Sequence, residues 1–225
     1  PAQIAQASTG VAAHATGTSF HDPVELEAIE SVIQPTNPAA TVWSHKGALG
    51  HSLGAVLAYS VAATAPDKVG PVVAIDGVPF LPALMNPAAT VESVRPQVDA
   101  MRKALENASA DVRERQFDLS LPSLMSDPGH VAIARKWALA SDPRTSNQLT
   151  MDLMTTDLRG EVGRIQTPLL LIAAGGLFAA QPAARTAMAR AYGQQVAGIA
   201  HHETIVAERA RHFIMLDDLP FLTTA

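Results

Sequence analysis

The hydrophobic positions of this 225-residue chain fall into short, continuous apolar runs separated by stretches of helical period. Apolar runs that are bounded by turn residues are typical of strands buried on both faces of a sheet. They predict strands over Val69–Asp76, Leu169–Ala174 and Glu203–Ala207. The segments between them predict helices over Ala55–Ala65 and Arg185–Tyr192. Because strands alternate with helices, we predict an α/β fold with a mostly parallel sheet covered by helices on both faces.

The middle and the front of the chain follow other patterns. Residues 81–150 are rich in helix formers, methionine and proline, and they predict a helical insertion that caps the core. We therefore divide the chain into a core of residues 1–80 and 151–225 and a cap of residues 81–150. In the front part, an N-cap aspartate followed by proline predicts a helix over Val24–Gln34, and Ala2–Gln6 predicts a short strand.

The composition of the chain argues against several classes of function. The chain is 48% hydrophobic and 16% charged, its net charge is −5, and it has no basic run of five or more residues. Nucleic acid and anionic membranes are therefore poor partners. Cysteine is absent, which excludes disulfides and cysteine metal sites, and no apolar run reaches the about 18 residues of a membrane span. We expect a soluble protein, cytoplasmic or, if a signal segment has been removed, periplasmic or secreted.

The most informative motif is Gly50-His51-Ser52-Leu53-Gly54. Gly-x-Ser-x-Gly is the sequence form of a nucleophile elbow, a sharp turn from strand to helix that exposes a serine hydroxyl. Glycines suit this turn because it is strained and brings the strand close to the helix. A serine hydroxyl is a poor nucleophile on its own, so it needs a histidine base that is oriented by a carboxylate. We predict that Ser52 is the nucleophile.

His212 is the best candidate for the base. It follows the last predicted strand in a loop, and a loop at the carboxyl end of a strand can place a base over the nucleophile. His201 and His202 precede that strand, so we expect them at the opposite edge of the sheet. The histidine pairs of the chain lack a carboxylate or a third histidine at a fitting spacing, so we expect no metal and no cofactor.

Together these segments resemble the α/β-hydrolases over roughly residues 47–220. The matching segments are the elbow, the strand Pro71–Asp76, the two pre-strand segments Asp157–Arg159 and Ile165–Leu169, and Arg211–Met215. The resemblance implies that Ser52 is the nucleophile, that His212 is the base and that the backbone N–H of Leu53 is an oxyanion donor. It also implies that residues 81–150 form a helical cap over the pocket.

The position of the third triad member stays open. In the family, the acid commonly follows the strand that corresponds to Leu169–Ala174, and no carboxylate follows that strand here. Some members place the acid one strand earlier, and the residue at that position is Asp76. Asp76 is therefore our first candidate, and Asp157 is the alternative acid.

The front of the chain also departs from the family. Only 51 residues precede Ser52, and none of them forms the His-Gly pair that supplies the second oxyanion donor in relatives. We therefore expect the first strands of the fold to be short, divergent or absent. A backbone amide near Ser8–Gly10 is a candidate for the second donor.

These residues predict a serine hydrolase that cleaves carboxylic esters through an acyl-enzyme intermediate. A methionine-rich cap of low charge favours a small-molecule ester with a small-to-medium apolar group. Two alternatives stay open: a carbon–carbon bond hydrolase or acyltransferase that uses the same triad, and a catalytically impaired member that binds ligands. A homodimer is compatible with the sequence.

Overall fold

The computed structural model describes residues 47–225. The predictions for Ala2–Gln6, Ser8–Gly10 and Val24–Gln34 lie outside the described residues. The strands are β1 (Ala48–His51), β2 (Val72–Ile75), β3 (Leu169–Ala174) and β4 (His202–Ala207). The α-helices are α1 (Leu53–Thr64), α2 (Val91–Glu106), α3 (Ala110–Leu124), α4 (Pro128–Ala140), α5 (Pro143–Thr155), α6 (Pro182–Val196), α7 (Ile214–Asp217) and α8 (Leu219–Thr224).

Strands β1 to β4 form one parallel sheet in the order β1-β2-β3-β4. Val72 of β2 pairs with Ala48 of β1 on one side and with Leu169 of β3 on the other, and Leu169 also pairs with His202 of β4. The predicted parallel sheet is therefore confirmed. Because the strands run in the same direction, the loops that follow them all begin at one edge, which we call the carboxyl edge.

Helices cover both faces of this sheet, as predicted. On one face, Leu171 of β3 lies in a buried cluster with Tyr59 of α1 and Val196 of α6. On the other face, the next residue of the strand, Ile172, packs with Ile214 of α7. Successive strand residues point to opposite faces, so a strand covered on both sides must be apolar throughout. This is why continuous apolar runs predicted the strands.

Proline shifts two of the predicted boundaries. β2 is shorter than the predicted run, since Pro71 has no N–H to donate and pairing begins at the next residue. The Pro71 carbonyl instead accepts a hydrogen bond from the N–H of Ala48 at 2.9 Å. Helix α6 begins three residues earlier than predicted, because Pro182 stands at its first turn.

Helices α2 to α5 fill the segment that was predicted as a helical insertion. α2 packs against α5, and α3 packs against α4. Asp127 and Asp142 cap the last two of these helices, each followed by proline at the first helical position. Helix α5 continues to Thr155, beyond the predicted end of the cap at residue 150. The division of the chain into core and cap stays a prediction. In residues 47–225, none of the helices is long and apolar enough to cross a membrane.

Candidate active site

Ser52 lies in a sharp turn between β1 and α1. Its backbone angles are φ 55° and ψ −117°, and its N–H donates to the carbonyl of Ile75 at 2.9 Å. A β carbon on Gly50 would lie 2.1 Å from the carbonyl oxygen of Gly54, so the strand and the helix approach too closely for a side chain at position 50. A β carbon on Gly54 would meet no described atom within 4 Å, so the close approach requires only the first glycine of the motif.

Backbone strain is concentrated at two candidate catalytic residues. Among the non-glycine residues of the described part, only Ser52 and Asp76 have positive φ, at 55° and 45°. Each such conformation costs about 1–3 kcal/mol, and strain of this kind is typical of functional sites. Gly77 lets the two turns pack together, because a β carbon there would lie 2.5 Å from the carbonyl oxygen of Ser52.

His212 and Asp76 are joined directly, although 136 positions separate them. The imidazole Nδ1 lies 2.7 Å from the Asp76 Oδ2 atom, and the two side chains are 23% and 7% exposed. A carboxylate accepts hydrogen bonds, so Nδ1 carries the proton. In the neutral ring, Nε2 then has a free lone pair, which is the state that a general base needs.

The other carboxylate oxygen of Asp76 is also fully engaged. Oδ1 accepts hydrogen bonds from the backbone N–H of Ala174 and from the hydroxyl of Tyr192, both at 2.8 Å. Burial is the largest influence on the pKa of Asp76 and raises it. The hydrogen bond and charge of His212, with the bonds from Ala174 and Tyr192, outweigh burial and hold this pKa below its ordinary value. Asp76 is therefore ionised at neutral pH.

His51 of the motif contacts the candidate base. Its Nε2 atom lies 2.9 Å from the backbone carbonyl oxygen of His212, and the two rings are 4.5 Å apart. Burial, followed by the charge of His212, lowers the pKa of His51 to about 4, against smaller opposing effects from the carbonyl hydrogen bond and Asp76. The ring is therefore neutral at neutral pH, and its Nε2–H donates to the loop that carries His212.

The hydroxyl of Ser52 stands apart from this network. The hydrogen bonds within residues 47–225 join His212 to Asp76 and to His51, and they include none from Ser52 Oγ. In unliganded enzymes, the bond between nucleophile and base is often long and tightens when substrate binds. The N–H of Leu53 belongs to the first turn of α1, where amides have no acceptor inside the helix and attract negative charge.

Asp157, the alternative acid, lies in a different cluster. Its Oδ1 atom accepts from Arg159 Nε at 2.8 Å, and its Oδ2 atom accepts from Arg159 Nη2 at 2.5 Å. The same guanidinium donates to the carbonyl of Ala89 and stacks over the ring of Phe80. The structure therefore brings Asp76, and not Asp157, into contact with His212.

The loop that carries His212 is also tied to the end of α3. The guanidinium of Arg211 donates to the carbonyls of Pro122 and Met125, the second at 3.2 Å. The N–H of Phe213 donates to the carbonyl of Leu124 at 3.0 Å. The two chain neighbours of the candidate base are thus both bonded to the helical segment.

Sequence reasoning missed Tyr192 and Arg211. Tyr192 ends the predicted helix over residues 185–192, and no spacing in the sequence relates it to Asp76. The one sequence feature that could have pointed to Arg211 is its position next to His212. In both residues the role depends on a long-range contact that only the folded chain reveals.

One family model matches part of the chain. Residues 4–66 are similar to the beta-ketoacyl synthase C-terminal domain. This match covers less than a third of the chain, and it overlaps the described residues only at 47–66, which hold β1, Ser52 and α1. No curated protein matches the sequence.

Solved structures are similar over most of the chain. The esterase from Exiguobacterium antarcticum is 15% identical with a TM-score of 0.63, over 88% of this chain and 69% of its own. MGS-M2, an α/β hydrolase enzyme from a Medee basin deep-sea metagenome library, is 14% identical with a TM-score of 0.58, over 92% and 71%. The chain has the α/β-hydrolase fold. The enol-lactonase from Burkholderia xenovorans LB400 is 18% identical with a TM-score of 0.59, and the match covers 83% of this chain but only 65% of that one.

The elbow of this α/β-hydrolase fold lies within the residues that match the other family. The described sheet begins with β1, the strand that leads into Ser52, and continues through the strands that lead to Asp76 and His212. The segment of residues 4–66 that is similar to a different family ends two residues after helix α1. The matched residues 4–66 thus include the Gly50–Gly54 motif and the described strand β1.

Proposed function

We propose that this chain is a serine hydrolase that cleaves carboxylic esters, with Ser52 as nucleophile, His212 as base and Asp76 as the acid that orients the base. The observation that carries this proposal is the 2.7 Å bond between His212 Nδ1 and the buried, ionised Asp76. That bond selects the tautomer in which Nε2 is free to take a proton. It lies at the same edge of the sheet as the strained turn of Ser52.

The reaction follows from these positions in two stages. Ser52 Oγ attacks the ester carbonyl carbon while its proton passes to His212 Nε2, and the N–H of Leu53 donates to the developing oxyanion. Collapse of the tetrahedral intermediate breaks the bond to the alcohol, which leaves with the proton from His212. Water, activated by the same imidazole, then attacks the acyl-serine and releases the carboxylic acid.

The contacts of the two carboxylates support Asp76 as the acid. Asp76 meets the base at one oxygen and is held by two donors at the other. Asp157 has both oxygens bonded to Arg159, so it would have to break an ion pair before it could orient an imidazole.

The ester as substrate class is supported by similarity at the level of the fold. The neighbour from Exiguobacterium antarcticum is named an esterase, and the one from Burkholderia xenovorans is named an enol-lactonase. We propose a small-molecule ester as the partner and residues 81–150 as the cap that selects its apolar groups. A fold does not dictate a substrate, so the chemistry must be tested on the site itself.

Hydrolysis of p-nitrophenyl esters with short and medium acyl chains tests the proposal. Ser52→Ala should lose at least about 10³-fold in kcat, because the proposed acyl-enzyme forms on the Ser52 hydroxyl. Ser60→Ala is the matched control, since Ser60 lies further along the same helix and should leave kcat unchanged. Ester hydrolysis that survives Ser52→Ala would contradict the proposal. Adding carbon–carbon bond substrates and acceptor alcohols to the panel tests the other reactions open to the same triad.

A second candidate function is ligand binding by a catalytically impaired member. Two observations favour it: Ser52 Oγ has no hydrogen bond within the described residues, and the front of the chain matches a different family model. Under this alternative, the protein binds a non-hydrolysable ester analogue, while wild type and Ser52→Ala show the same background turnover. Calorimetry with the analogue, run beside the kinetic panel, separates the two functions.

A further inference from the structure

The carboxylate of Asp76 is held in one orientation by donors from three different elements. The Ala174 N–H comes from the end of β3, the Tyr192 hydroxyl comes from α6, and His212 comes from the loop after β4. The first two donors share Oδ1, and His212 alone meets Oδ2. Rotation of the carboxylate would therefore break hydrogen bonds at both oxygens.

Tyr192 is suited to act as a permanent donor in this group. It is 8% exposed and belongs to the buried cluster between α6 and the sheet. Burial and then the negative charge of Asp76 raise the pKa of the Tyr192 phenol well above its ordinary value. The phenol therefore keeps its proton at neutral pH and donates a hydrogen bond to Oδ1.

We propose that Tyr192 is a positioning residue for catalysis, which acts by holding Oδ1 of Asp76 so that Oδ2 faces His212 Nδ1. This inference rests on the proposed hydrolase function, because the orientation of Asp76 affects turnover only if His212 is the base. Tyr192 does not touch the reacting atoms. Its effect passes through Asp76 to the imidazole.

The position of Asp76 explains why it needs such a donor. It follows β2 rather than β3, in a left-handed backbone conformation and with its side chain only 7% exposed. A buried carboxylate must replace its lost hydration with hydrogen bonds. The end of β3 contributes a backbone N–H from Ala174 to Oδ1 but no side-chain group. The Tyr192 hydroxyl is the only side chain that donates to this oxygen in the described part of the chain.

The two tyrosines of the chain provide a matched pair of variants. Tyr192→Phe removes the hydroxyl that meets Asp76, and Tyr59→Phe removes a buried hydroxyl that donates to the carbonyl of Gly77 at 3.0 Å. Each variant loses one buried hydrogen bond and keeps the ring. Thermal unfolding of both variants measures the structural cost that they share.

Kinetics and their pH dependence separate positioning from a structural role. For Tyr192→Phe, we expect kcat to fall on the order of tenfold with KM unchanged, because a hydrogen bond to a charged group is lost. In the pH profile of kcat/KM, the acidic limb should shift to higher pH by roughly 0.5 unit, since a carboxylate with fewer donors stabilises the imidazolium more strongly. In Tyr59→Phe, the acidic limb should stay at the pH at which it lies in wild type. Equal losses of kcat in the two variants, or an unmoved limb in Tyr192→Phe, would overturn the inference.

Two further measurements keep the inference testable if activity or folding fails. We expect the proton between His212 Nδ1 and Asp76 to give a far-downfield NMR resonance, which should move further downfield or broaden in Tyr192→Phe and stay unchanged in Tyr59→Phe. If wild type shows no turnover and this result holds, the proposed function fails and the positioning contact stands. If Tyr192→Phe does not fold, fluorotyrosine at position 192 keeps the ring and donates more strongly to Oδ1, so the resonance should move upfield of its wild-type position. An unchanged resonance in the folded Tyr192 variants would contradict the contact.

Discussion

The carboxyl edge of the sheet and the helical segment of residues 81–155 are held together in different ways. At the edge, Asp76 accepts hydrogen bonds from residues that lie 98, 116 and 136 positions away. In the helical segment, α4 buries no side chain. Its ion pairs join it to the preceding helix α3, since Arg135 pairs with Glu114 and Asp118, which lie only 21 and 17 positions away. The edge is therefore a cooperative unit, whereas single contacts in the helical segment can be lost with little effect on the rest.

The two regions meet at the loop that carries His212. Arg211 and Phe213 bond to the end of α3, while His212 between them bonds to Asp76. Catalytic groups need rigid support, and substrate selection tolerates variation in the surrounding helices. The contrast therefore predicts large effects for substitutions at the edge, intermediate effects at the junction and small effects in the helices.

The largest expected effect is on kcat at the two candidate acids. Asp76→Asn should lower kcat by about 10⁴-fold, because an amide neither selects the required tautomer nor stabilises the imidazolium. Asp157→Asn breaks the ion pair with Arg159 and should lower kcat by less than about tenfold. Steady-state kinetics of both variants on one ester decide between them. A larger loss in Asp157→Asn would reverse the assignment of the acid.

The next effect is on stability at the elbow. Gly50→Ala should lower the free energy of unfolding by at least about 3 kcal/mol, because its β carbon would overlap the Gly54 carbonyl at 2.1 Å. Gly54→Ala is the matched control, and it should be neutral or stabilising by up to about 1 kcal/mol, since alanine favours a helix. Urea unfolding measures both values. Equal costs in the two variants would mean that the turn is not close-packed at Gly50.

The junction should give an intermediate effect on activity. Arg211→Met removes the guanidinium bonds to the carbonyls of Pro122 and Met125, and we expect kcat to fall about tenfold as the loop with His212 loosens. Arg135→Met breaks two exposed ion pairs on the helices and should leave kcat unchanged, at a cost below about 1 kcal/mol of unfolding free energy. Kinetics and urea unfolding measure both. If Arg135→Met lowers kcat as much as Arg211→Met, the two regions are not distinct.

The remaining prediction is a pH dependence of stability at His51, which lies at the carboxyl edge. The pKa of His51 is about 4 in the folded chain against an ordinary 6.5, so the unfolded chain binds the extra proton between these values. The stabilisation from a neutral His51 is full above pH 6.5 and is lost as the pH falls toward 4. When the pH is lowered from 7 to 5, the free energy of unfolding should therefore fall by about 1–2 kcal/mol less in His51→Gln than in wild type. Parallel pH profiles for the two proteins would contradict the burial of a neutral ring.

Much of the sheet and the elbow could be predicted from local pattern. Leu169–Ala174 is apolar at every position because both faces of β3 are covered, and the prediction matches the strand at both ends. In the helical segment, Asp127 and Asp142 each precede a proline, and this local pattern coincides with the start of a helix. Proline is not always a boundary, however, since Pro96 and Pro122 lie inside helices.

The site depends on contacts that local pattern does not encode. The residue pattern made Asp76 and Asp157 both acceptable acids, and only the fold brings one of them to His212. Tyr192 lies 116 positions from Asp76, so its hydrogen bond follows from the way α6 packs on the sheet. The glycine motif was correct about the turn but did not distinguish Gly50, which the close approach requires, from Gly54, where a β carbon would meet no atom of residues 47–225 within 4 Å.

The most direct test of Ser52 as an activated nucleophile is covalent labelling with a fluorophosphonate, followed by mass spectrometry of the intact and digested protein. A free hydroxyl does not react at a useful rate, whereas a serine paired with a base does. We predict one adduct per chain, located on Ser52, absent from Ser52→Ala and strongly slowed in Asp76→Asn but not in Asp157→Asn. An unlabelled wild-type protein, or an adduct on another residue, would contradict the assignment of Ser52, His212 and Asp76 as a working triad.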